Sequence, residues 1–158
     1  MRSLKWPAWV AFALCVALPA TADFQTALDA YNAGNFETAY REWLALADDS
    51  AAAQFNIGLL FELGEGREQD FKTAHEWYVR AAENGFARAQ FRLGELYESG
   101  QAVEQDLVQA RKWFAVAAQS RHPGANKRRK KIAKNMTPRE IALGDMWARE
   151  YSRGKKKP

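Results

Sequence analysis

Residue types that do chemistry are scarce in this chain, and their spacing does not gather them. There are two histidines, His75 and His122, and a single cysteine, Cys15. Metal sites draw His, Cys or carboxylate ligands from short, regular spacings, and no such spacing occurs. Serine nucleophile motifs are absent as well. Gly64-Glu65-Gly66 is a fragment of a phosphate-loop pattern and reads instead as a connector between helices. His75 stands where a second, related block has Arg111, so it reads as a surface residue. His122, in the turn His122-Pro123-Gly124, reads as solvent-facing. Glu62 and Glu98 recur with that block and read as structural helix-end residues. Nothing here points to an enzyme, a metal or a cofactor. Binding remains, and binding needs elements that present a surface.

Those elements repeat. Ala51–Asn84 aligns with Ala87–Ser120 at an offset of 36, with 15 of 34 positions identical. A fixed period in the range of 20–50 residues signals a solenoid, in which each unit buries its apolar face only against its neighbours. The fold class expected is all-α, an α/α solenoid of helix-turn-helix repeats with N- and C-terminal capping helices. Helix A of each unit is predicted over Ala51–Leu63 and Ala87–Ser99. There Ala53, Ile57, Leu60 and Phe61, and then Ala89, Leu93, Leu96 and Tyr97, follow the 3.6-residue spacing. Helix B is predicted over Phe71–Glu83 and Leu107–Gln119. Asp70 and Asp106 are its N-caps, accepting from unpaired amides at the positive end of the helix dipole. Asn84-Gly85 is a left-handed C-cap signal.

Gly58 and Gly94 sit in mid-helix, where glycine costs roughly 1 kcal/mol relative to alanine. Close approach of a large ring offsets that cost. The stripe Ala74, Trp77, Tyr78, Ala81 and Ala82, repeated as Ala110, Trp113, Phe114, Ala117 and Ala118, supplies candidates. The identical indoles Trp77 and Trp113 are the rings expected to interlock with the glycines.

These residues carry a resemblance. The run Ala53-x-Phe55-x-Ile57-Gly58-x-x-Phe61-x-x-Gly64-x-Gly66, followed by Asp70, Ala74, Trp77-Tyr78 and Ala81-Ala82, resembles the Sel-one-like repeat, a relative of the tetratricopeptide repeat. The second copy matches at Ala89, Phe91, Leu93-Gly94, Tyr97, Gly100, Asp106, Ala110, Trp113-Phe114 and Ala117-Ala118, and departs at Ala102, where a differently turned loop is expected. The resemblance implies a binding groove and a role as an adaptor in protein complexes. Some secreted relatives are cysteine-rich, a feature this chain lacks.

The ends depart from the period. Residues 23–50 read as a degenerate tetratricopeptide-like cap, with Phe24–Ala33 and Phe36–Ala47 around the turn Gly34-Asn35. Residues 51–86 and 87–122 are the two repeats, and 123–151 supply capping helices. Lys127, Arg129 and Lys130 fall where Phe91, Leu93 and Gly94 stood, so Ala125–Lys134 is expected to be a helix that accepts no further repeat. Thr137-Pro138-Arg139-Glu140 announces the last helix with a capping box and a first-turn proline. Ile141, Ala142, Met146, Trp147 and Tyr151 are expected to dock it on the array. Residues 152–158 are expected to be a basic, disordered tail.

Residues 1–22 read as a signal peptide. Arg2 and Lys5 precede an unbroken apolar run from Ala8 to Leu18, then Pro19 and the small residues Ala20-Thr21-Ala22. Eleven residues of helix span only about 16 Å, short of a ~30 Å hydrocarbon core. Leu14 before Cys15 is the wrong residue for lipidation. Cleavage after Ala22 leaves 136 residues without cysteine, no transmembrane segment, and stability from helix packing alone. The expected location is periplasmic, with full secretion as the alternative.

The formal charge of +4 conceals two opposed parts. Residues 23–125 hold 9 Lys/Arg against 16 Asp/Glu, and residues 126–158 hold 12 against 3. Lys127, Arg128, Arg129, Lys130 and Lys131 form a basic patch, read either as a solvated cap or as an arm for an anionic partner. An export signal disfavours nucleic acid. Anionic envelope lipid or glycan is the alternative function. The leading one is protein binding. The copies differ along one helix A stripe at Ala52/Arg88, Asn56/Arg92, Leu59/Glu95 and Leu63/Ser99. By resemblance helix A lines the concave face, so Asn56, Leu59, Arg88, Arg92 and Glu95 are the expected contacts to a protein or extended peptide.

Overall fold

The computed structural model describes residues 23–154; the expected signal peptide, and the lysines at 155–157, lie outside the described residues. Helices follow one another with short connections: α1 (Phe24–Asn32), α2 (Phe36–Leu46), α3 (Ala51–Leu63), α4 (Phe71–Glu83), α5 (Ala87–Ser99), α6 (Leu107–Gln119), α7 (Ala125–Ile132) and α8 (Pro138–Gly154). A 3-10 turn, Ala133–Asn135, precedes α8. The described residues contain no strand. Helices pair into hairpins, α1 with α2, α3 with α4 and α5 with α6, and each hairpin packs on the next through α2 against α3 and α4 against α5. The fold is an α/α solenoid.

Local signals place the ends. Asp70 accepts from the Lys72 and Thr73 amides, and Asp106 from those of Val108 and Gln109. Both A helices stop at a left-handed glycine, Gly64 (φ 70°) and Gly100 (φ 73°). Thr137 and Glu140 cap α8 reciprocally: the Thr137 amide donates to the Glu140 carboxylate (2.7 Å) and the Glu140 amide to the Thr137 hydroxyl (3.3 Å). Two identical glutamine pairs hold the hairpins. Gln69 and Gln105 donate to the carbonyls of Glu62 and Glu98 at the ends of α3 and α5. Gln54 and Gln90 reach back to Ala47 and Ala82 on the preceding hairpin.

The interlock expected at the glycines exists, but the rings differ. A Cβ on Gly58 would lie 2.7 Å from the Tyr78 ring, and one on Gly94 would lie 2.6 Å from the Phe114 ring. Both rings are fully buried. Trp113 is buried beside Tyr151 instead, and Trp77 is half-buried at the edge of the N-terminal core. One residue along a helix turns a side chain by about 100°, so the indole and its neighbour cannot both face the glycine. In the N-terminal cap the expected indole, Trp43, is buried among Phe24 and Tyr31.

Two further expectations are corrected at the C-terminus. Helix α8 packs on α6, but through Gly144 and Ala148, the residues it buries, flanked by Ile141, Asp145 and Tyr151. Ala142 and Met146 face outward. Small residues let the backbones approach: a Cβ on Gly144 would sit 3.0 Å from the Val108 carbonyl. The helix also continues through Gly154, so 152–154 belong to it and not to a disordered tail. The second loop is differently turned, as expected. Gly66 has φ 71°, whereas Ala102 is not among the residues with positive φ.

Candidate functional site

Three helices occupy A positions at a constant step of 36 residues. Ala53, Ala89 and Ala125 are buried at equivalent points of α3, α5 and α7, as are Leu60, Leu96 and Ile132. An ion pair repeats with the same step. Arg92 of α5 pairs with Glu62 of α3, and Arg128 of α7 pairs with Glu98 of α5 at 2.7 Å. This explains why the two glutamates recur. It also shows that the basic helix α7 continues the row of A helices.

Between α3 and α5 lies a depression of about 270 Å³, lined by Phe55, Leu59, Arg88, Phe91, Arg92, Glu95 and His122. Four of the five predicted contacts, Leu59, Arg88, Arg92 and Glu95, therefore meet on one surface. Asn56 is half-buried on α3 and does not line it. The floor is aromatic. Phe91 and His122 stack with ring centroids 4.1 Å apart, and the Arg88 guanidinium lies 4.8 Å above the Phe55 ring. His122 is thus half-buried against a ring rather than solvent-facing. Burial pulls its pKa below the usual histidine value, Arg88 adds to this and Glu95 opposes it. A neutral imidazole presents an apolar face there.

A polar network holds the wall. Arg92 sits between Glu62 and Glu95, the latter at 2.5 Å. From beneath, the Tyr78 hydroxyl donates to Glu62 at 2.6 Å. Burial pushes the Tyr78 phenol well above its ordinary value, so it stays a donor. Arg92 is therefore fixed in place, whereas Arg88 is exposed.

A second depression, of about 340 Å³, is lined by Phe91, Gly124, Lys127, Arg128 and Lys131. Phe91 lines both, so a single ring separates the aromatic pocket from the basic one. Lys127 and Lys131 are exposed and lie one turn apart. The predicted basic patch is divided: Lys127, Arg128 and Lys131 border the groove, and Arg129 and Lys130 do not. Sequence reading missed Phe55, Phe91 and His122 here. The signal available was spacing, since Phe55 and Leu59, like Phe91 and Glu95, are four residues apart and share a helix face.

The position shared by His75 and Arg111 is not surface. Arg111 is only 7% exposed and donates to the carbonyls of Ile141 and Arg129, both at 3.2 Å, and to Asp145 at 2.8 Å. It ties α6 to α7 and α8. His75 is half-buried, packed edge-on against Tyr97 with centroids 5.6 Å apart, and burial lowers its pKa. Among the described residues no group of three or more His, Cys, Asp or Glu is placed to hold a metal ion, and no helix is long and apolar enough to cross a membrane.

The Sel1 repeat family matches residues 51–86 and 87–122, the two middle hairpins. The chain is similar to the crystal structure of a protective antigen present in uropathogenic Escherichia coli strains displaying an SLR fold, with 27% identity and a TM-score of 0.76. That similarity covers 82% of this chain and 29% of the antigen. It is also similar to a Sel1 repeat protein from Oxalobacter formigenes, with 31% identity, a TM-score of 0.67, and coverage of 82% of this chain and 56% of that one. The chain thus spans roughly a third to a little over half of these two proteins. No curated protein matches it significantly in sequence. Its two middle hairpins match Sel1 repeats, and its helical solenoid matches structures with the SLR fold. Proteins of this kind are generally protein-interaction scaffolds, and the fold is typically non-catalytic.

Proposed function

We propose that this chain is an exported, periplasmic adaptor that holds an extended acidic segment of a partner protein along the groove formed by α3, α5 and α7. The observation that carries this reading is the position of Phe91, which lines both the aromatic depression and the basic one. A segment lying across it would place an apolar side chain against Phe55 and Phe91 and a carboxylate near Lys127 and Lys131. Fixed polar neighbours favour register, and exposed cations favour acidic partners and fast capture. Export is supported by the sequence of residues 1–22 alone.

The alternative reading, binding of anionic lipid or glycan by the basic segment, has less support. Arg128 is paired with Glu98, and Lys127 and Lys131 border the groove rather than a separate flat face. A labelled peptide of alternating acidic and aromatic residues, titrated by fluorescence anisotropy, tests the proposal. Saturable binding is expected, weakened about tenfold by Arg88→Glu and by Lys131→Glu but unchanged by Lys72→Glu on exposed α4 surface. Loss from Lys131→Glu with no effect of Arg88→Glu would separate the two surfaces and defeat the proposal.

A further inference from the structure

The groove changes character from one helix to the next. At the 36-residue step its lining positions run Phe55, Phe91, Lys127 and Leu59, Glu95, Lys131. Helix α3 thus offers two apolar side chains, α5 one apolar and one acidic, and α7 two basic ones. One turn beyond Leu59 the series continues in the sequence as Leu63, Ser99, Asn135. Leu63 is 51% exposed, more than the other exposed large apolar residues, Leu44 and Met146. A single exposed leucine needs no explanation by itself. This one stands one turn from Leu59 and extends the apolar end of a graded surface.

Charge follows the same order. Helix α3 brings no charged side chain to the lining. On α5, Arg92 is balanced by Glu62 and Glu95, which leaves Arg88 as the exposed cation. On α7, Arg128 is balanced by Glu98, but Lys127 and Lys131 are exposed and enter no ion pair among the described residues. An occupant lying across the three helices therefore meets less apolar surface and more positive charge from α3 to α7. Neighbouring helices lie up to about 10 Å apart, so two steps span about 20 Å. An extended chain rising about 3.3 Å per residue crosses that distance in about six residues.

We propose that the groove reads the order of residues in its partner: an apolar side chain seats on Leu59 and Leu63 of α3, while carboxylates about six residues away reach Lys127 and Lys131 of α7. This rests on the adaptor reading, and it adds Leu63 to the surface and a fixed pattern to the partner. The same residues in alternation would lay carboxylates over α3, where no free cation lines the groove and loss of water goes uncompensated. A basic segment would be repelled from α7. Selection comes from arrangement, so composition alone does not make a partner.

The test is a fluorescence-anisotropy titration of the full chain with labelled peptides that join one leucine to three glutamates through glycine-serine spacers, made in both chain directions. In at least one direction, a spacer of about five residues is expected to bind about fivefold or more tighter than a spacer of one, and tighter than the same residues in alternation. Leu63→Ser, which installs the residue of the second repeat at an exposed position, should abolish the advantage of the longer spacer. It should leave a peptide whose leucine is replaced by serine unaffected. Lys131→Glu should weaken every glutamate-bearing peptide, whatever its spacer. Saturable binding that ignores spacer length and order in both directions overturns this proposal and leaves the adaptor reading standing. So does a spacer preference that Leu63→Ser leaves intact. Absence of saturable binding by every peptide overturns both.

Discussion

The two repeats press a six-membered ring onto a mid-helix glycine in the same way, but only one of those rings carries a hydroxyl. Tyr78 against Gly58 donates to Glu62, which in turn holds Arg92 in the groove wall. Phe114 against Gly94 has no such donor, and Glu98 pairs with Arg128 alone among the interactions of this network. The packing role and the polar role are therefore separable. Ring shape sets the distance between the helices of a hairpin, and the hydroxyl connects the core of the first repeat to the groove wall. The polar network is therefore fuller between α3 and α5 than between α5 and α7, where Arg128 pairs with Glu98 and Lys127 and Lys131 are exposed.

Several substitutions break or sharpen this contrast. Tyr78→Ala and Phe114→Ala should have the largest effects, each losing about 3–5 kcal/mol, read as the denaturant midpoint with unchanged m-value. Similar losses would support a shared packing role. Trp77→Ala should cost less than either, because the indole is half-buried; an equal loss would return the interlock to the indoles. Next, Gly94→Ala should destabilise by about 1–2 kcal/mol net. Crowding of the Phe114 ring outweighs the gain in helix propensity, and a melting temperature at or above wild type would show that the ring can move aside. Smallest is Tyr78→Phe, about 1 kcal/mol. It should leave the Gly58 contact intact but loosen Arg92, visible as broadened side-chain NMR signals of Arg92, with no change at Arg128.

The repeat made most of the fold legible. Helix limits, caps and the mid-helix glycines followed from residues that recur 36 positions apart, because each performs the same local task twice. What the spacing could not settle was rotation about a helix axis. Trp77 and Tyr78 are adjacent, as are Trp113 and Phe114, and identity between copies drew attention to the indoles rather than to the rings that meet glycine. In α8 the same difficulty recurs: reading the largest side chains pointed to Met146, whereas close packing selected Gly144 and Ala148.

Variation between copies was an uneven guide to the surface. It located Leu59, Arg88, Arg92 and Glu95, whose neighbours leave the residue type open. It failed at His75 and Arg111, because their neighbours differ: one faces Tyr97 and the other faces α7 and α8. The join between groove and basic patch was not visible in one dimension at all. It depends on α7 entering the row of A helices and bringing Lys127 and Lys131 beside Phe91.

Photo-crosslinking in cells, from a photoreactive residue placed at Leu59 and separately at Lys131, tests that join most directly. One continuous groove predicts that both positions capture the same protein through neighbouring stretches of one acidic segment. Capture of a protein from Leu59 but only of lipid or glycan from Lys131 would contradict it.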